Sequence, residues 1–349
     1  MKHVPKLLLA ALCLASWIAP AESPPSVPMV AVPAGSFVMG RLDTGPDETG
    51  GDDELPRHEV QLDAYFIGQN EISNAQFAVA YNWALDTGRL VLGEKESKRL
   101  YLNGQLLLDL ITEESALRLQ GGRLQVDPSR SPHAERLPVV FVTWHGAAAF
   151  CNWLSEWEGR AAAYDLATWS CIAPRAGGYR LPTEAEWERA AAWHADTQTH
   201  APFAFAQPPS RERMNFYDAE HAIYANPIQA GRMPFLSPVG WFGELPGVEA
   251  RSPVGCHDMS GNVWEWCNDW YQPDYYAHSP RENPDGPATG NDRVERGGSW
   301  RSPAQHCRTA KRNHDAPSLA LGDLGFRVAR AEAPTAVPPG TTSAAPRPE

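Results

Sequence analysis

The chain has 349 residues, 43% of them hydrophobic, and 30 Lys and Arg against 42 Asp and Glu give a formal net charge of −12. This is enough for one large domain or two ordinary ones with a real core. The acidic balance argues against nucleic acid or an anionic membrane as partner and favours cations or basic surfaces. With 28 glycines and 32 prolines, turns and long irregular segments are expected in place of long helices.

Lys2 and Lys6 precede a short apolar run from Leu7 to Ile18, and Ala19-Pro20-Ala21 has the form of an export cleavage site. Residues 1–21 therefore read as a signal peptide cleaved near Ala21, and the mature chain as periplasmic. The run is too short to span a bilayer and no second one of that length follows, so an integral membrane protein is not expected. Leu12 before Cys13 is a poor fit to a lipoprotein processing site. Cleavage leaves Cys151, Cys171, Cys256, Cys267 and Cys307, an odd set with no C-x-x-C pair.

Phe37-Val38-Met39 reads as a strand. Residues 43–54, rich in acids among glycines and prolines, read as a solvated loop. Alternation predicts further strands at Val60–Leu62 and Tyr65–Ile67, and helical spacing predicts a helix over Glu71–Ala84. Residues 85–135 look like an insertion. In it, Asn103-Gly104 and Gly121-Gly122 predict two β-hairpins, Leu100–Leu108 and Leu117–Val126. Val139–Val142 reads as a buried strand and His145–Trp157 as an apolar-faced helix carrying Cys151. Thr183-Glu184-Ala185-Glu186 forms a capping box that opens a helix to Trp193, with Glu184, Glu186 and Glu188 read as charges facing the helix dipole.

Residues 195–255 lack periodicity and read as a long ordered loop region, followed by Asp258 to Tyr271, where four large aromatics and a cysteine are packed together. In Trp264-Glu265-Trp266 the indoles lie on one side of an extended chain and Glu265 on the other. A carboxylate there must reach water, a cation partner or a metal. Two readings follow for this segment: an aromatic core strand after the Gly261-Asn262 turn, or a loop that coordinates Ca²⁺ through oxygen. Val294–Trp300 reads as a strand entering a glycine turn. The Pro-, Ala- and Thr-rich tail over 331–349 reads as disordered.

Gly261-Asn262-Val263-Trp264-Glu265-Trp266 resembles the signature of the formylglycine-generating enzyme (sulfatase-modifying factor) domain family. So do Val32-Pro33-Ala34-Gly35-Ser36-Phe37-Val38-Met39-Gly40, Tyr179-Arg180-Leu181-Pro182-Thr183-Glu184, Arg296-Gly297-Gly298-Ser299-Trp300 and Leu324-Gly325-Phe326-Arg327. The motifs keep the family's order across one domain, residues 22–330. The resemblance implies an α+β, C-type-lectin-like fold with low regular secondary structure.

It also implies a test of chemistry. The family's enzymes oxidise a peptide cysteine to formylglycine with two cysteines that hold Cu(I), which needs soft thiolate ligands. Counting from Trp300, those positions fall on Ser302 and Cys307. Counting back from Arg308 instead puts the second on Ala304. On either count only one cysteine is available locally, so copper is not expected and neither is catalysis. Cys307 reads as structural, with Cys267 as one possible disulfide partner. The family's calcium positions carry over to Asp258, Gly261, Val263 and Glu265. A second site would use Asn215, but its acidic partner is missing where the chain reads Ala230-Gly231-Arg232. Structural Ca²⁺ is thus the one cofactor expected.

Among non-enzymatic members, the chain looks most like the periplasmic regulators that act upstream of the threonine kinase of type VI secretion. The expected function is therefore regulatory, on the periplasmic part of a membrane kinase or receptor. Trp300, Arg301 and Arg308, or the 85–135 hairpins, are the expected binding face. The alternatives are a formylglycine-generating oxidase, with a distant cysteine joining Cys307, and a calcium-dependent carbohydrate-binding module.

Overall fold

The structure is a computed structural model that describes residues 23–91, 98–206, 208–224 and 235–332. The signal peptide and most of the tail read from the sequence lie outside the described residues.

Strands β1 (Met29–Val32), β2 (Gly35–Met39), β3 (His58–Leu62) and β4 (Tyr65–Gly68) open the domain. α1 (Asn74–Asp86) starts later than its spacing suggested, because Ser73 is the cap. The Ser73 hydroxyl accepts from the Gln76 amide at 3.3 Å and the Gln76 side chain accepts from the Ser73 amide at 2.9 Å. Glu71 is left ahead of the helix with its carboxylate buried.

The two hairpins lie where their turns placed them: β5 (Arg99–Leu102) with β6 (Gln105–Asp109), and β7 (Leu117–Gln120) with β8 (Arg123–Val126). They are not a detached elaboration. Asn82 on α1 clamps β8 by accepting from the Leu124 amide (3.0 Å) and donating to its carbonyl (2.9 Å). Leu100, Leu108, Leu117 and Leu124 enter the largest apolar cluster.

Residues 139–142 are buried but form no strand: Phe141 has φ of 60°, and single bridges from Pro138 to Ser73 and from Val142 to Leu108 replace a ladder. The chain then enters α2 (Trp144–Trp157), which is capped by Thr143 and apolar nearly all round, and so is buried. α3 (Glu184–Ala192) begins at the capping box of Thr183 and Glu186.

β9 (Trp264–Trp270) is the centre of a four-stranded sheet. It lies between β10 (Arg293–Arg296) and β12 (Leu324–Gly325), with β11 (Arg312–Asp315) on the outer side of β10. β13 (Ala329–Ala331) returns to β4, so a sheet in the order β1-β4-β13 ties both ends of the domain together. The many short ladders and irregular connections make a mixed α+β fold with little regular structure.

Trp264 and Trp266 face the cluster that contains α2, and Glu265 points the other way, as the alternation required. The turn before β9 needs Gly261. Its φ is 91°, and a Cβ there would come within 2.3 Å of the Asn215 carbonyl oxygen. All five cysteines among the described residues are free, so the Cys267–Cys307 pairing that the sequence left open is not formed. Cys267 is enclosed at the middle of β9, and Cys307 is tucked under a glycine turn.

Candidate functional site

The turn after β10 leads to Ser302 and Cys307, the positions that the family resemblance aligns with the copper ligands. Gly297 and Gly298 have φ of 98° and 76°, and a Cβ on Gly298 would lie 2.6 Å from the Cys307 sulfur. Glycine at 298 is what lets Cys307 pack beneath the turn. The Cys307 sulfur is fully buried and lies 3.7 Å from the Pro303 carbonyl. Burial pushes the thiol well above its ordinary range, opposite to what a reactive or metal-binding thiolate needs.

Ser302 stands in a hydroxyl chain. Its Oγ lies 3.1 Å from Ser299 Oγ, which donates to Asp323 Oδ2 at 2.9 Å. Asp323 is buried, its other oxygen Oδ1 has no partner, and burial raises its carboxyl. The donor set at the copper positions is thus one hard hydroxyl and one sealed thiol, which does not fit Cu(I).

The segment over this turn is held by Arg308. Its guanidinium bonds Asp47 at 2.8 Å and both oxygens of Glu54 at 2.8 Å, all buried. Two acids of the 43–54 run are therefore not solvated, as the sequence suggested, but are the counter-ions of one arginine. Arg308 and Trp300 are 2% and 1% exposed and cannot form an outer binding face, which corrects that expectation. Trp300 is fixed by a hydrogen bond from its indole N–H to the Gly322 carbonyl. Arg301 is the one of the three that reaches solvent, with half of its side chain exposed.

Behind β9 lies a lattice of buried ion pairs. Glu265 receives the Arg327 guanidinium on both oxygens at 2.6 Å, and the Trp187 indole N–H on Oε2 at 2.8 Å. The three α3 glutamates are likewise paired, not free at a helix start. Glu184 binds Arg296 and Arg312, Glu186 binds Arg180, and Glu188 binds Arg296 and His200. Burial works to raise the Glu188 carboxyl, but Arg296 and His200 outweigh it and hold it down at about 2. The signal sequence reading missed was the set of arginines in the C-terminal motifs (Arg296, Arg312, Arg327), which had to find carboxylates once buried.

These contacts bear directly on calcium. Glu265 has its charge neutralised by Arg327 and both oxygens occupied, so the Asp258–Glu265 loop does not fit the ion through that carboxylate. Asp258 is raised to about 6 by burial, and its Oδ2 accepts from the Gly240 amide at 2.6 Å. Val263 is fully buried, and the Gly261 amide donates to the Gly297 carbonyl. Asn215 differs: its Oδ1 is buried without a partner while Nδ2 donates to the Phe235 carbonyl. That oxygen suits a hard cation, but residues 225–234, where the missing acid would stand, lie outside the described residues. Among the described residues no group of three His, Cys, Asp or Glu side chains could hold a metal ion.

Comparison with known proteins agrees with this architecture. The sulfatase-modifying factor enzyme 1-like domain matches residues 16–332. The formylglycine-generating enzyme of Streptomyces coelicolor is 31% identical over 326 residues, covering 86% of this chain and 88% of that protein. Serine/threonine-protein kinase pkn1 of Chlamydia pneumoniae is 30% identical over 313 residues, or 89% of this chain. The chain spans 39% of the length of that kinase. PvdO from Pseudomonas aeruginosa has a similar structure, with a TM-score of 0.57 at 25% identity over 89% of this chain and 100% of PvdO. With the family's motifs in order and its domain matched almost end to end, this chain belongs to the formylglycine-generating enzyme (sulfatase-modifying factor) family.

Proposed function

We propose that this protein is a non-catalytic, periplasmic binding and regulatory member of the family, acting on the periplasmic part of a membrane kinase or receptor. Its nearest functional analogue in this reading is TagR, the regulator that promotes threonine phosphorylation upstream of type VI secretion. The observation that carries the reading is Ser302, bonded into a hydroxyl chain beside a sealed Cys307 where the enzymes need two thiolates. Function lives in sites and not in folds, and here the fold is kept while the thiol pair is not. A relative named as a serine/threonine kinase contains a similar domain as about two fifths of its length, which supports a tie to kinase signalling. Among the described residues no helix is long and apolar enough to cross a membrane.

Two experiments test it. No formylglycine is expected when copper-loaded protein meets a Cys-x-Pro-x-Arg peptide, measured by mass spectrometry. Ser302→Cys is expected to raise Cu(I) affinity by completing a thiolate pair. Turnover by the wild type at an enzyme-like rate overturns the reading.

The second experiment is a pull-down from a membrane fraction. The exposed candidates are Arg301, and Tyr101 and Ile111 around the first hairpin, which are 47% and 49% exposed. Arg301→Gln and Tyr101→Asp are expected to weaken capture of one membrane protein by about tenfold, which corresponds to ~1.4 kcal/mol; Tyr101→Asp, at an exposed position, is expected to leave the melting temperature unchanged. No membrane partner, with unchanged kinase phosphorylation in a deletion strain, rules the proposal out.

A further inference from the structure

Of the seven buried arginines among the described residues, Arg180, Arg296, Arg308, Arg312 and Arg327 each face a carboxylate at 3.0 Å or less. Arg189, which donates to the Gly35 carbonyl, does not, and neither does Arg293, the first residue of β10. It is 6% exposed and stacked between the indoles of Trp144 and Trp270, 3.8 and 3.5 Å from their ring centroids. Its Nη1 donates to the Asn268 carbonyl. Nε has no hydrogen-bond partner, and none is present for Nη2 among the described residues. These two N–H groups form one edge of the guanidinium, the geometry that grips a carboxylate with both of its oxygens. Burial without a counter-ion pulls the guanidinium down to about 10, with Tyr164 and Asp269 opposing it only in part. Asp269 is itself pushed well above the carboxylate range by burial and by Glu184.

Arg293 lines a cavity of about 470 Å³, a size suited to a small molecule. Trp169 forms another part of the wall. Its φ is 57°, a region bulky residues rarely occupy, and its buried indole N–H has no partner. Two unpartnered donors, each on a side chain more than nine-tenths buried, thus belong to residues that line this cavity. On the rim is Asp285, exposed and without an ion-pair partner among the described residues. Thr168, Ser170 and Thr289 add hydroxyls. The site lies beyond Asn268 at the C-terminal end of β9 and shares no lining residue with the turn that holds Ser302 and Cys307.

We propose that this cavity is a binding site for a small zwitterion of the amino-acid class. The ligand's carboxylate meets the unpaired edge of Arg293, its ammonium faces Asp285 and its side chain lies along Trp169. An isolated anion would leave Asp285 opposed to it, and an isolated cation would leave Arg293 unmatched, so one ligand carrying both charges answers both.

The test is a titration of the full mature chain with the twenty free amino acids, followed by calorimetry and by the rate of alkylation at Cys171, which lines the same cavity. At least one amino acid is expected to bind and to slow alkylation. Its carboxamide is expected to bind about tenfold or more weakly, and its N-acetyl derivative to lose affinity as well. Asp285→Asn, a change at an exposed position, should reproduce the N-acetyl loss with an unchanged melting temperature. The ligand comparisons need no core substitution, so a misfolded Arg293→Lys variant would not decide the matter. The proposal is overturned if no amino acid binds at millimolar concentration, if the carboxamide binds as well as the acid, or if a uronate binds in place of every amino acid. It does not rest on the regulatory reading, since the absence of a membrane partner leaves these titrations unaffected.

Discussion

Glu265→Gln is expected to lower the stability of the protein by about 3–5 kcal/mol, to the same extent with and without millimolar Ca²⁺. Glutamine preserves the shape of the site and still offers one acceptor to Arg327 or Trp187. What it removes is the charge, and Arg327 is fully buried. Its other contacts are the carbonyls of Gly68, Gln69 and His257, which satisfy hydrogens but carry no net charge. Glu71 cannot readily take over. Burial, Asp258 and Glu265 push its carboxyl well above the usual range, and its oxygens are held by the Asn262 amide. Urea unfolding with a chelator and with added calcium measures both parts of this result. If calcium stabilises the wild type and Glu265→Gln abolishes only that response, the carboxylate is an ion ligand after all and the ion-pair assignment fails.

The second large effect is expected at Arg308. Arg308→Met keeps an unbranched apolar stem but is shorter and uncharged, and it leaves Asp47 and Glu54, both fully buried, without their common cation. The expected cost is again about 3–5 kcal/mol, because two unpaired carboxylates must be protonated or dragged to water. Here the protein has an easier way out than global unfolding. The 43–54 segment is a surface connection, and releasing it relieves both charges at the expense of local order. Cys307 is the reporter, since it lies next to Arg308 in sequence and is completely enclosed. Its alkylation is expected to speed up in Arg308→Met well before the melting transition, while Cys151 inside α2 stays protected. Equal protection of both thiols up to the global transition would mean that Arg308 merely adds stability and does not hold the segment closed.

These two positions also mark where sequence reading stops. Local signals were sufficient for the elements whose cause is local. Thr183 and Glu186 stand three apart, so the capping box could be read directly, and the Asn103-Gly104 and Gly121-Gly122 turns carried the positive φ that a tight hairpin requires. The side taken by Glu265 followed from the two-residue period of an extended chain, and the requirement for a cation beside it followed from the cost of burying charge. That the cation is Arg327, 62 residues away, could not be read, nor that Arg308 reaches back 261 residues to Asp47. Periodicity and capping report only on neighbours within a few residues, whereas a buried charge is satisfied by whatever the fold brings alongside. The same limit made Trp300 and Arg308 look available for a partner. That position 302 carries no thiol, in contrast, was plain in the sequence, because a serine cannot become a soft ligand in any fold. Tertiary structure added what encloses Cys307, and it left Arg293 between two indoles with one edge of its guanidinium unpaired.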